Sequence, residues 1–310
     1  MTASDRHGQW DISSRARLLL VLVAVLWSTG GLFAKAPWLL AWPGEVRGPL
    51  LAFWRALFAG IFLLPFVRRP QWSWRLVPAT LVFAAMNVTF LTAISHTTAA
   101  NAIWLQNTAP CWVLMFSVFC LRQKVTRKDG LMLVLGLGGV ALILAFELTS
   151  DAVANQQGVA WGVMAGIAYA GVIITVRWLR DLDPVWIIAL NHLVTAFLLG
   201  PLVMHEGVFP NAPQTLWLVC FGVLQMGLPY VLFARALRSV PSHEAAIIVL
   251  LEPILVPVWV YLAWHHHPSY AAPAWWTWAG AAFILAGLVA RYAARPGRRP
   301  PHRESSSQRK

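Results

Sequence analysis

The chain has 310 residues, of which 58% are hydrophobic and only 12% are Asp, Glu, Lys or Arg. That charged share is about half the usual one for a soluble domain, and no single soluble core buries this much apolar surface while leaving a wettable exterior. A formal charge of +12 would suit a nucleic-acid partner, but its placement along the chain argues against one.

Residues 1–17 form a basic N-terminal segment whose first dozen residues are expected to be unstructured. The apolar run after Arg15 and Arg17 resembles a signal peptide, but it is long enough to span a bilayer and lacks a small-x-small cleavage site at the right depth. It is read as the first membrane helix. Ten runs approach the 20 or so apolar residues that a span needs: 18–36, 48–67, 76–95, 100–121, 130–147, 157–177, 185–204, 214–236, 244–264 and 274–293. They are long and continuously apolar, which favours helices over the short alternating segments of a barrel. The tail from 294 to 310, rich in Arg, Pro and Ser, is expected to be disordered against an anionic leaflet.

The loops orient the bundle. With the N-terminus in the cytoplasm, 21 of 24 basic residues fall on the inner side, while the outer loops hold Glu45, Glu147, Asp151 and Glu206. This positive-inside pattern predicts that both termini are cytoplasmic and accounts for the charge without nucleic acid. Trp38, Trp42, Trp72, Trp74, Trp178, Trp186, Trp264, Trp275 and Trp276 lie near the predicted interfaces as an aromatic belt. Cys111, Cys120 and Cys220 sit in apolar runs without disulfide or metal spacing.

The two halves carry the same landmarks in the same order. Aligning Pro110 with Pro253 brings Ala102 to Ala245, Phe90 to Phe233 and Asn87 to Tyr230; Trp27 meets Tyr169 in the first helix of each half. Five is odd, so the halves enter the membrane from opposite sides. The expected fold is therefore all-α and integral to the membrane: ten transmembrane helices as two inverted five-helix repeats, 18–147 and 157–293. Inverted repeats typify secondary transporters, whose substrate site lies near mid-membrane where the repeats meet.

The chain resembles the ten-helix EamA family of the drug/metabolite transporter superfamily. The likeness covers about residues 18–293 and is carried by AVLWSTGGLFAK, FWRALFAGIFLLP and AISHTTAANAIWLQNTAPCWVLM in the first half. In the second half it is carried by GIAYAGVIITVRWL, PYVLFARALRSVPSHEAAIIVLLEPILVPV and AGAAFILAGLVARY. The resemblance implies an inner-membrane carrier, often an exporter, of amino acids or related compounds. An Arg- and Ala-rich, Lys-poor composition suggests a bacterial source.

Prolines and polar residues at depth are the candidate site. Pro253 cannot donate to the carbonyl of Val249, Pro110 frees that of Gln106, and Pro229 that of Gln225. Such breaks belong against protein or a water-filled cavity. Glu252, beside Pro253, is near mid-depth, where an ionised carboxylate costs roughly 2.5–3.5 kcal/mol on insertion scales. It is read either as a proton-exchanging group or substrate-amine contact, or as a structural partner of the kink. The other candidate lining residues are Trp27, Asn87, Gln106, Asn107, Tyr169 and Tyr230; Arg55, Pro110 and Pro253 join Glu252 in coupling or gating. Arg55 either attracts an anionic group or pairs within the outer vestibule. His192 is read first as a packing histidine. The run from His265 to His267 lacks acidic or cysteine partners, so no metal and no cofactor is expected. Gly158, Gly162 and Gly166 predict close helix packing.

The expected partners are a small-molecule substrate, protons through Glu252, and the lipid bilayer. Efflux of cationic or drug-like compounds is the second reading. A membrane-embedded enzyme would need a nucleophile with a nearby base, for which no constellation is evident, and a non-transporting scaffold would tolerate loss of the breaks.

Overall fold

The computed structural model describes residues 3–120, 122, 124–149 and 153–292. Asp151 and the basic tail lie outside the described residues. Ten helical units follow one another: α1 (Ser14–Ala34), α2 (Gly44–Phe66), α3 (Leu76–His96), α4 (Ala99–Phe119), α5 (Arg127–Glu147), α6 (Asn155–Trp178), α7 (Pro184–Glu206), α8 (Ala212–Ala236), α9 (Glu244–Trp264) and α10 (Trp275–Tyr292). Among the described residues the first nine are long and apolar enough to cross a membrane. The tenth lies along α5. The predicted spans fall on these units, with ends shifted by a few residues.

The helix that carries α1 begins at Ala3, so residues 3–12, expected to be unstructured, extend it instead, and residues 1 and 2 lie outside the described residues. No proline interrupts that stretch, and once the membrane segment has nucleated a helix, each further residue adds a hydrogen bond.

The helix pairings follow the repeat. The helices α2 and α7 pack together, and so do α5 and α10. The packing of α3 and α4 on α6 is answered by that of α8 and α9 on α1. Exchanging each helix with the one five places on maps these contacts onto one another. The breaks obey the same rule: α4 is interrupted at Asn107 and α9 at Leu250, each three residues before a proline.

Two features have no counterpart in the other half. The helix α1 is broken at Thr29, whose hydroxyl donates back to the Leu26 carbonyl at 2.6 Å, whereas α6 runs unbroken from Val153 to Trp178. The helix α8 contains a π-helical turn, Phe221–Gly227, whereas α3 is regular throughout. Pro229 explains the π turn: with its N–H missing, the wider register lets a preceding carbonyl reach a donor further along. The two irregularities meet, since the Gln225 Nε2 in the π turn donates to the Trp27 carbonyl just before the α1 break, at 3.1 Å.

Small residues let the backbones approach. A Cβ at Gly158 would lie 2.6 Å from the Thr97 nitrogen, and one at Gly166 would lie 2.7 Å from the Leu105 carbonyl oxygen. The glycine row on α6 is therefore the seam against α4, as its spacing predicts.

Candidate functional site

Arg55 is fully buried in α2. Its Nη2 donates to the Asn87 Oδ1 on α3, and its Nη1 donates to the Gln225 Oε1 at 3.4 Å. The guanidinium also stands 5.1 Å from the centre of the Phe221 ring, a cation–π contact. Both Gln225 and Phe221 arrive on the π turn. That turn seats closely against α2 because residue 222 is glycine: a Cβ there would lie 2.8 Å from the Arg55 carbonyl oxygen.

From Arg55 the site extends toward α9 through aromatic side chains. Trp27 meets Tyr230 edge to face at 5.3 Å and Phe233 at 5.2 Å. His192, also fully buried, stands edge-on to Phe83 at 4.9 Å and to Tyr230 at 6.2 Å. Arg55, Tyr230 and Glu252 lie within electrostatic reach of one another, and Tyr169 within reach of the last two.

Glu252, Tyr169 and Tyr230 are deep in the bundle but only half-buried. Neither the Glu252 carboxylate nor the two phenol oxygens has a hydrogen-bond or ion-pair partner among the described residues. Buried polar groups ordinarily find partners, so three unpaired polar side chains at this depth mark the candidate lining of a site.

The structure thus gathers Trp27, Arg55, Asn87, Tyr169, Tyr230 and Glu252 from the sequence-predicted residues. Gln106 and Asn107 are occupied otherwise. The Gln106 Nε2 faces the Met86 sulfur at 3.2 Å, and the Asn107 amide folds back to donate to the Ile103 carbonyl at 2.9 Å. Pro110 opens the second segment of α4, while Pro253 is buried in the first turn of the second segment of α9. Both mark the breaks rather than the lining. Gln225 and Phe221 were missed as side chains. The proline four residues after Gln225 was the available signal, read only for the carbonyl it frees.

A second buried polar cluster lies apart from this space. The Asn101 Nδ2 donates to the Glu147 Oε1 at 2.8 Å, the Trp276 Nε1 donates to the same oxygen at 3.1 Å, and the Thr277 hydroxyl donates to the Asn101 Oδ1 at 2.7 Å. Glu147, read in the sequence as an outer-loop residue, is buried, because donors on α4 and α10 meet the last residue of α5.

Among the described residues three ion pairs lie toward one end of the bundle: Arg17–Glu244 at 2.5 Å, Arg75–Asp181 at 2.6 Å and Arg291–Asp129 at 2.6 Å. Each joins a residue of the first half, in α1, in α5 or just before α3, to one in α9, in α10 or in the loop between α6 and α7. Arg75 donates two hydrogen bonds to Asp181, and this holds the Asp181 carboxyl below its ordinary range.

A bundle of membrane-length helices, with paired breaks and a charged and aromatic interior, defines the class as a polytopic helical membrane protein. The chain belongs to the EamA-like transporter family, whose model matches residues 14–145 and again residues 156–291. It is 30% identical over 244 residues to an uncharacterized transporter of Archaeoglobus fulgidus, covering 76% of this chain and 82% of that protein. It is 29% identical over 226 residues to the pseudopaline exporter CntI of Pseudomonas aeruginosa, covering 69% of this chain and 74% of that one. A solved crystal structure shares the fold with a TM-score of 0.61 at 18% identity, covering 90% of this chain and 97% of that chain.

Proposed function

We propose that the chain is a secondary carrier that moves a small amphipathic metabolite, an amino acid or related compound, outward across a bacterial inner membrane. The two five-helix repeats, 18–147 and 157–293, give the two sides alternating access to the space bounded by Trp27, Tyr169, Tyr230 and Glu252. Both termini face the cytoplasm, following the distribution of basic residues. The observation that carries the reading is the set of deep, half-buried polar side chains without protein partners at Glu252, Tyr169 and Tyr230. The relative named as an exporter favours the outward direction.

Glu252 exchanges a proton during the cycle. A carboxylate that reaches each side in turn takes up a proton where protons are abundant and releases it on the other side. The aromatic wall of Trp27, Tyr230 and Phe233 favours a second reading, efflux of hydrophobic cations, through ring faces that attract positive charge.

The test is uptake of labelled amino acids and cationic dyes into proteoliposomes, with and without a pH gradient, for the wild type and Glu252→Gln. The proposal expects saturable uptake that the gradient drives and the variant loses. Uptake indifferent to both the gradient and the substitution would make the protein a facilitator and return Glu252 to a role in the helix break.

A further inference from the structure

Arg55 is a buried charge without a counter-charge in contact. Its partners are the neutral Asn87 and Gln225 side chains and the Phe221 ring. No carboxylate among the described residues lies within ion-pairing distance of it. Holding a guanidinium out of water costs several kcal/mol, and two neutral acceptors and a ring face offset only part of that. A purely structural link between α2, α3 and α8 is made more cheaply by a neutral side chain.

The atoms around it are unsatisfied, and three of them are N–H donors: the Arg55 Nε, the Asn87 Nδ2 and one ring nitrogen of a neutral His192. The Arg55 Nε, the Asn87 Nδ2 and both ring nitrogens of His192 are buried and without hydrogen-bond partners. His192 is within electrostatic reach of Arg55 and shares Tyr230 with the aromatic wall. Buried polar atoms ordinarily find partners, so this set is complementary to a group that brings several acceptor lone pairs and a negative charge. A carboxylate does both, and the planar guanidinium fork suits it. Glu252, half-buried and of the opposite sign, lies within electrostatic reach of Arg55.

Resting on the central space as the transport site, we propose that Arg55 is its specificity-determining residue and recognises a substrate carboxylate. The site then takes zwitterions, with the carboxylate at Arg55 and the ammonium at Glu252. A substrate carrying only one of the two charges leaves the other site charge buried and unpaired, which weakens it relative to the zwitterion.

The test uses the full chain in nanodiscs and proteoliposomes with amino acids and their matched analogues, first phenylalanine, phenethylamine and 3-phenylpropionate. Ligand-induced melting shifts read recognition, and counterflow reads carriage. Wild type should bind phenylalanine about tenfold or more tightly than either singly charged analogue, the size of one charge-assisted hydrogen bond. Asn87→Asp is isosteric and supplies Arg55 with an internal carboxylate. It should fold, melt no lower than wild type, and bind phenylalanine no better than phenethylamine. Arg55→Gln should lose the same preference, and the aspartate variant keeps the test open if the glutamine variant fails to fold.

A folded Asn87→Asp that keeps the wild-type preference for phenylalanine would overturn the assignment and make Arg55 structural. Exchange of phenethylamine as readily as phenylalanine by wild type would overturn it while leaving the carrier intact. A carboxylate-dependent melting shift without any exchange would support the assignment and count against carriage. No shift and no exchange with any probe would overturn both.

Discussion

Arg55 and Glu147 are two charged side chains inside a lipid-facing bundle, and their surroundings separate their roles. Glu147 is met by donors from Asn101 and Trp276, which makes it a structural tie between α4, α5 and α10. Removing it leaves the Asn101 amide short of an acceptor, at about 1–3 kcal/mol for a stranded buried donor. Glu147→Ala should therefore lower unfolding stability by about that amount, while Glu147→Gln, which keeps one acceptor oxygen, loses less; thermal or denaturant melting in detergent measures both. Transport by the glutamine variant should be near wild type. The depth of Arg55 was legible from its position seven or so residues into an apolar run. Its partners were not, because residues 87 and 225 are remote in sequence and one of them is placed by an irregular turn.

At the scale of elements, the breaks determine where side chains point. Proline spacing made the interruptions of α4 and α9 legible, since a missing N–H acts on a known carbonyl four residues back. The π turn of α8 was not legible, because Pro229 alone is equally compatible with a kink. Close packing decides between them: Gly222 admits the Arg55 backbone, and Gly227 lies where a Cβ would stand 2.5 Å from Phe62. Gly222→Val should push α8 off α2 and pull Phe221 and Gln225 away from the guanidinium. The expected cost is about 1–3 kcal/mol of overpacking, with a raised KM in proteoliposome uptake. A substitution that lowers stability without changing KM would show that the π turn serves packing alone. Apolar run lengths located all ten helices, since membrane thickness and backbone hydrogen bonding admit few alternatives. The burial of Glu147 was invisible in those runs because a carboxylate at a predicted helix end reads the same whether it meets water or donors from neighbouring helices.

At the scale of the molecule, the two halves differ where they enclose the site. The broken α1 and the π-turned α8 meet each other, whereas α6 and α3 are unbroken and regular. A carrier with identical halves would hold the same groups at both ends of its cycle; this one places a cation on α2 and a carboxylate on α9. The three ion pairs seen among the described residues cross between the halves at the end that the proposed orientation places in the cytoplasm, where they would restrain opening. The Asp181 carboxyl has a lowered pKa, so the contribution of its pair with Arg75 is present in full above the ordinary carboxylate range and is lost as pH falls through the lowered value. Asp181→Asn at neutral pH, or acidification of the wild type well below the ordinary Asp value of about 3.9, should increase thiol labelling of cysteines introduced beneath the Arg75–Asp181 contact. Unchanged labelling under both conditions would show that this pair does not gate.

Transport as proposed requires that one internal space be reached in turn from both sides of the membrane. The most direct measurement places a single cysteine at Tyr169 in a chain with Cys111, Cys120 and Cys220 replaced. A membrane-impermeant thiol reagent is then applied to right-side-out and to inside-out vesicles. Alternating access should give labelling in both preparations, slowed in both by a carried substrate. Labelling from one side only, or from neither, would contradict alternating access to the space that Trp27, Tyr169, Tyr230 and Glu252 enclose.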